Sequence, residues 1–279
     1  MFDSPIVKKL VDLALEEDQA GNDVTAAATV PAGRTSQAHV IARESLVVCG
    51  LGIVPVIVTC AGFKLSVNIK ATEGAWASDR EVLVELAGST RELLAAERTI
   101  LNFLQRLSGV ATYTRRFCEG GSGLKILDTR KTMPGWRLLD KYATRTGGAS
   151  NHRLSLADMV LVKNNHIDAH PLGIQGALAD VVAKKPTDMK WEVEVRDLNE
   201  LKVALSFNPT MIMLDNFKDE ALREAIAVVR ASANTPMIEV SGGVSKERLG
   251  VIQASGVDAV SVGALTTQAP NVDISMRIS

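Results

Sequence analysis

Met211-Ile212-Met213-Leu214-Asp215-Asn216 and, 26 positions on, Met237-Ile238-Glu239-Val240-Ser241-Gly242-Gly243 carry the pattern that decides the fold. Each is a short apolar run that breaks off in polar residues or glycine. The same texture recurs at residues 259–262, 191–193, 159–162 and 125–127. With Asp128, Lys163, Glu194, Asp215, Ser241 and Gly263 as the ends, the spacings are 35, 31, 21, 26 and 22 residues. Such steps leave room for one helix and two loops, which predicts βα repetition around a parallel sheet. Six runs are visible where a closed barrel has eight strands. The expected architecture is therefore an irregular, incomplete α/β barrel, with an open doubly wound sheet as the alternative.

Upstream of these runs the pattern differs. Ser4-Pro5 reads as an N-cap with proline at the first helical position, and Ile6, Val7, Leu10, Val11, Ala14 and Leu15 follow at helical spacing up to Gly21. Residues 37–42, 64–69 and 81–86 alternate as strands. Residues 90 to about 107 form a strong helix with Leu93, Leu94, Ile100, Leu101, Leu104 and Leu107 on its apolar side. Residues 46–63 carry no charge, but Gly50, Gly52, Pro55 and Gly62 interrupt them. A strand, a glycine turn and a buried helix fit that stretch better than a membrane span. The tail, residues 272–278, alternates again and is expected to return to the first domain's sheet.

The composition excludes several classes. Lys+Arg is 31 against 32 Asp+Glu, so no global field draws the chain to nucleic acid or anionic lipid. Aromatics at 4% argue against a stacking platform for single strands. Cys49, Cys60 and Cys118 are odd in number and form no C-x-x-C pair, which leaves disulfide frameworks and thiolate zinc sites unsupported. A cytoplasmic, reducing setting is expected, because charges at Lys8, Lys9, Asp12, Glu16 and Glu17 interrupt any signal-peptide core.

In a parallel barrel the reacting groups gather at the carboxyl ends of the strands. Here those ends are Asp128-Thr129-Arg130-Lys131, Lys163-Asn164-Asn165-His166, Glu192 and Glu194, Asp215-Asn216, Glu239 with Ser241-Gly242-Gly243, and Val262-Gly263-Ala264. Arg130, Lys131 and Lys163, with His152-Arg153 in a glycine-rich loop, make a cationic cluster in a nearly neutral chain. Such a cluster implies a polyanionic ligand, a dicarboxylate or a pyrophosphate. The glycine ends expose backbone N–H groups able to cradle phosphate. Glu194 and Asp215 could accept from sugar hydroxyls, help hold Mg²⁺ or steady developing positive charge.

These residues resemble the quinolinate phosphoribosyltransferases over nearly the whole chain. The resemblance rests on Asp23-Val24-Thr25, Glu97-Arg98-Thr99, residues 102–109, Asp128-Thr129-Arg130-Lys131-Thr132, Pro134-Gly135, Asn151-His152-Arg153, residues 163–167, Glu192-Val193-Glu194-Val195, Leu214-Asp215-Asn216, Ser241-Gly242-Gly243 and residues 261–265. It implies an N-terminal α/β sandwich domain, residues 1–107 completed by 268–279, and an irregular barrel over 108–267. It also implies a homodimer, or an assembly of dimers, with shared active sites. The implied reaction converts quinolinate and phosphoribosyl pyrophosphate, with Mg²⁺, to nicotinate mononucleotide, pyrophosphate and CO₂.

By position, Arg98 would reach a partner subunit's site. Arg130, His152, Arg153 and Lys163 would bind the quinolinate carboxylates, and Lys131 the pyrophosphate. Glu194 and Asp215 would contact the ribose hydroxyls and, mostly through substrate and water, the metal. Thr129, Ser241, Gly242, Gly243, Val262, Gly263 and Ala264 would complete the substrate contacts. Asn164, Met133 and Thr267 depart from the family's usual acidic residue, threonine and histidine. The rival readings are a molybdenum-associated paralogue of the same fold, nicotinate as a substrate without decarboxylation, and a non-catalytic barrel that senses phosphate or a nucleotide.

Overall fold

The computed structural model describes residues 1–120 and 123–279. In chain order the elements begin α1 (Pro5–Glu17), α2 (Val24–Thr29), β1 (Thr35–Ala42), β2 (Leu46–Val47), α3 (Ile53–Cys60), β3 (Ser66–Ile69), β4 (Trp76–Ala77), β5 (Val82–Ser89) and α4 (Thr90–Cys118). There follow β6 (Lys125–Leu127), α5 (Arg137–Thr146), β7 (Val160–Val162), α6 (Asn164–Ala169), α7 (Gly173–Lys184), β8 (Trp191–Val195) and α8 (Leu198–Leu205). The chain closes with β9 (Met211–Asp215), α9 (Asp219–Arg230), β10 (Met237–Ser241), α10 (Leu249–Ala254), β11 (Ala259–Ser261), α11 (Ala264–Thr267) and β12 (Ile274–Ile278).

Two compact units emerge. The first comprises Met1–Arg116, Lys131–Gly148 and Ala264–Ser279, and the second Phe117–Arg130 and Ala149–Gly263. The sequence sets the breaks at 107 and 268, whereas the units place 108–116, 131–148 and 264–267 with the first. Packing is the reason: Val110, Ala111, Leu139 and Ala143 are buried in the first unit's core.

In the first unit an antiparallel sheet runs β12-β1-β5-β3, so the chain's tail does return to the first sheet. Ser4 caps α1 by accepting the Val7 N–H at 3.3 Å, and Val7, Val11 and Leu15 bury one stripe at four-residue spacing. The uncharged stretch forms β2 and α3, with Ile53, Val54 and Ile57 fully buried. Each such side chain contributes about 1.5–3 kcal/mol through burial. Among the described residues no helix is long and apolar enough to cross a membrane.

Helix α4 runs well past Leu107. Two hydroxyls one turn apart explain the extension. Ser108 Oγ accepts the Cys49 N–H at 3.0 Å, and Thr112 Oγ1 accepts the Val47 N–H at 2.8 Å. Both serve backbone groups in and just after the short strand β2 that would otherwise be buried unpaired. Gly109 lies between them because a Cβ there would overlap the Pro270 carbonyl. The glycine marks a close approach of two backbones and leaves the helix intact.

The second unit carries a parallel six-stranded sheet in the order β6-β11-β10-β9-β8-β7, matching the six runs. Its edges are β6 and β7, so the barrel is incomplete. At the β6 edge the Ser150 N–H reaches the Ile126 carbonyl at 2.8 Å, and the Asp128 N–H reaches the Ser150 carbonyl at 3.0 Å. This bridge brings the loop that carries His152 and Arg153 against the strand that delivers Arg130.

Gly109→Ala should lower folding stability by about 1–3 kcal/mol or more, from overpacking against backbone that cannot yield. Chemical denaturation measures this; a wild-type midpoint would contradict the close approach.

Candidate active site

Strand register decides which side chains meet. Residues two apart share a face of a strand, and paired residues share it across strands. Glu194 stands opposite Met213, Met213 opposite Glu239, Asp215 opposite Ser241, and Ser241 opposite Ser261. Glu192, Glu194, Asp215, Glu239 and Ser241 therefore project to one face from three adjacent strands. Glu192 and Glu239 are fully buried and Glu194 nearly so.

Asp128 organises the loop at the β6 edge. Its Oδ1 accepts the His152 N–H at 2.9 Å and its Oδ2 accepts from Asn151 Nδ2 at 2.6 Å. The His152 side chain then reaches the interior. Its Nε2 lies 3.1 Å from Glu192 Oε2 and 3.5 Å from Glu239 Oε2. Burial alone would pull the imidazole pKa down. Hydrogen bonds to Glu192 and Glu239, with their charges, outweigh that and push it up to about 9. The Arg153 N–H donates to Nδ1 at 2.8 Å, so the neutral ring keeps its proton on Nε2. The Glu192 carboxyl is held above its ordinary range by burial, against the pull of His152.

The cations occupy the neighbouring ends. Arg153 Nη1 donates to the Met159 carbonyl at 3.1 Å. Its pKa is drawn down by burial and then by the charge of Arg130. Arg130 Nε is buried without a hydrogen-bond partner. Two guanidinium groups that repel each other, one with a donor to spare, suit an anion between them. Lys163, at the start of α6, points its Nζ to within 3.6 Å of Glu194 Oε2. Its backbone N–H donates to His166 Nδ1 at 2.9 Å, which assigns His166 a helix-end role. The Asn164 Oδ1 is buried and unpaired.

The glycine ends are shaped for backbone display. Gly242 has φ +80°, and a Cβ there would overlap the Asn216 amide. Asn216 itself has φ 57°, donates its N–H to the Ser241 carbonyl at 2.8 Å and its Nδ2 to Asp215 at 3.0 Å. At the next strand the Val262 N–H donates to the Leu127 carbonyl at 2.9 Å.

The second unit thus holds Thr129, Arg130, Lys163, Glu194, Asp215, Ser241, Gly242, Gly243, Val262 and Gly263 at the ends of its strands, and His152 and Arg153 on the loop bridged to β6. Arg98, Lys131 and Ala264 belong to the first unit, with Arg98 and Lys131 exposed. Glu192, Glu239 and Asp128 hold His152; the sequence places them at the strand ends but assigns them no role. Their signal was a carboxylate inside or directly after an otherwise apolar strand.

A parallel α/β barrel with such charged strand ends is the build of a barrel enzyme acting on an anionic ligand. Residues 23–108 match the N-terminal domain of quinolinate phosphoribosyl transferase, and residues 110–277 its C-terminal domain. The chain belongs to the quinolinate phosphoribosyl transferase family. It is 37% identical to the nicotinate-nucleotide pyrophosphorylase [carboxylating] of Mycobacterium leprae, over 95% of this chain and 94% of that protein. Identity to the chloroplastic protein of the same name from Arabidopsis thaliana is 36%, over 98% and 82%. Among solved structures, nicotinate-nucleotide pyrophosphorylase from Francisella tularensis superposes with a TM-score of 0.90 at 36% identity, covering 98% of this chain and 96% of that one.

His152 titrates above its ordinary 6.5, so its contribution to stability is complete below pH 6.5 and is lost as pH rises through about 9. Glu239→Gln removes one of the two carboxylates. The His152 pKa followed by NMR should fall, and the loss of stability between pH 6.5 and 9 should shrink. An unmoved pKa would separate Glu239 from the imidazole.

Proposed function

We propose that this chain transfers a phosphoribosyl group from phosphoribosyl pyrophosphate to quinolinate with decarboxylation, releasing nicotinate mononucleotide, pyrophosphate and CO₂ for NAD biosynthesis. The observation that carries this reading is the Arg130–Arg153 pair, mutually repelling and with Arg130 Nε buried unpaired. A ligand with two adjacent carboxylates satisfies such a pair, and Lys163 extends the same cationic side. Family membership and the names of the relatives point to the same substrate.

The chemistry follows from the charges. The pyridine nitrogen attacks the anomeric carbon while the bond to pyrophosphate breaks, through an oxocarbenium-like state. Glu194 and Asp215, carboxylates on one face, stabilise the cationic sugar and accept from its hydroxyls. Lys131, next in sequence to Arg130, neutralises the departing pyrophosphate. Ser241, Gly242, Gly243, Gly263 and Ala264 offer N–H groups to phosphate, beside Thr129 and Val262. The new N-glycosidic bond makes the ring a pyridinium. That ring accepts the electron pair as the adjacent C–C bond breaks and CO₂ leaves, and a proton then replaces the carboxylate.

Glu194 and Asp215 supply hard oxygen donors on a shared face, the chemistry that suits Mg²⁺, and would hold it mostly through substrate and water. When bound, the ion supplies charge neutralisation to the leaving group. A homodimer with Arg98 entering the partner's site, in a reducing cytoplasm that suits thiols at Cys49, Cys60 and Cys118, completes the proposal.

Release of pyrophosphate and CO₂ in equal amounts from the two substrates, dependent on Mg²⁺, tests the reading; pyrophosphate released with nicotinate supplied as acceptor, and none with quinolinate, would replace quinolinate with nicotinate. Arg153→Ala removes charged hydrogen bonds worth about 1.5–3 kcal/mol each, so the quinolinate KM should rise about 10–100-fold. The donor KM should move far less, and equal shifts would refute the assignment. Glu194→Gln should lower kcat with quinolinate affinity kept. Mixing inactive Arg98→Ala and Lys131→Ala subunits should restore partial activity; no recovery would argue against shared sites.

A further inference from the structure

The proposed donor-side lysine, Lys131, is exposed and sits on a loop, a poor platform for gripping pyrophosphate unless the backbone beneath it is fixed. The first unit contains a buried network that does this. Thr266 Oγ1, from α11, donates to the Lys131 carbonyl at 2.6 Å. Two residues on, the Met133 N–H donates to Asp140 Oδ2 at 3.2 Å. Both supports converge on one side chain. Arg106 Nη2 donates to Asp140 Oδ1 at 3.3 Å and to the Thr266 carbonyl at 2.8 Å, while Nη1 reaches the Ala269 carbonyl at 3.3 Å. Asp140 is fully buried and Thr266 nearly so. One guanidinium from α4 therefore ties the loop of Lys131 to the short helix that follows Gly263.

Stability is a weak reason for this arrangement. A buried ion pair is often matched or bettered by apolar residues of similar volume, and Arg106 Nε is left buried and unpaired. What the fork-shaped guanidinium supplies is fixed geometry at three acceptors.

We propose that Arg106, Asp140 and Thr266 are positioning residues that set the place of Lys131 and thereby the grip on the phosphoribosyl donor. The proposal rests on the donor-side role given to Lys131. The network touches no reacting atom; it acts through the backbone at residues 131 and 133. Its consequences fall on the donor and spare quinolinate.

Thr266→Val keeps the side chain's shape and the Thr266 carbonyl but removes the hydroxyl on Lys131. In the full-length enzyme it should raise the donor KM about five- to tenfold, with the quinolinate KM within twofold of wild type. Thr266→Ser should restore the donor KM. The decisive arm is a double-mutant cycle read by direct binding of phosphoribosyl pyrophosphate, since Lys131→Ala has no turnover: in that background Thr266→Val should change the donor Kd less than twofold. Full additivity, or equal rises in both KM values, would overturn the positioning role while leaving the reaction itself intact. Wild-type donor affinity in Lys131→Ala alone would instead overturn the donor-side role of Lys131 and the network's purpose with it. Should Thr266→Val fail to fold, Asp140→Asn, which can keep its oxygen on the Met133 N–H while turning an NH2 donor toward Arg106 and breaking that tie, reads the same split.

Discussion

Two carboxylates buried against one imidazole set the terms for the interior of the second unit. Removing an ionised carboxylate from water costs several kcal/mol, recovered only through well-placed partners. Glu192 and Glu239 share His152 Nε2, which cannot serve both fully, and oxygens on each remain unpaired. The attraction of Arg153 for Glu192 lowers the cost, and the repulsion between Arg130 and Arg153 raises it again. Buried carboxylates thus stand beside half-buried guanidinium groups, and the charges do not cancel pair by pair. That imbalance gives an incoming dianion something to bind.

The arrangement depends on register. A shift of one residue in β8 or β10 would turn Glu192, Glu194 and Glu239 to the opposite face and place valines in the interior. Parallel pairing with β9 prevents the slip, and the apolar outward faces of the same strands, Val193, Leu214 and Val240, are fully buried and hold the pairing in place. Asp128 extends the control beyond the sheet by fastening the His152 backbone. In the first unit, hydroxyls and a guanidinium on α4 play the comparable part, serving the backbone in and just after β2 and the carbonyls of Thr266 and Ala269.

Much of this was legible in the residues. The six parallel strands, the capped first helix, the strand-turn-helix after Ser45 and the returning tail all follow local periodicity, which short runs of sequence carry in full. The end of α4 did not, because Ser108-Gly109 looks like a stop and its true use lies in contacts with Cys49 and Pro270. Arg106 was similarly opaque: as one arginine among many on a helix, its role appears only when Asp140 and Thr266 arrive from distant segments.

The sequence by itself determined the alternation of strands and helices, the charged chemistry at the strand ends and the family, since each is written in neighbouring residues or short motifs. The tertiary structure decided which charges meet: that His152 faces Glu192 and Glu239, that Arg130 repels Arg153, and that Arg106 supports the loop of Lys131. The physical reason is range. Periodicity and capping act within a few residues, whereas Coulomb and hydrogen-bond energies depend on distances of a few ångströms between groups tens or hundreds of positions apart.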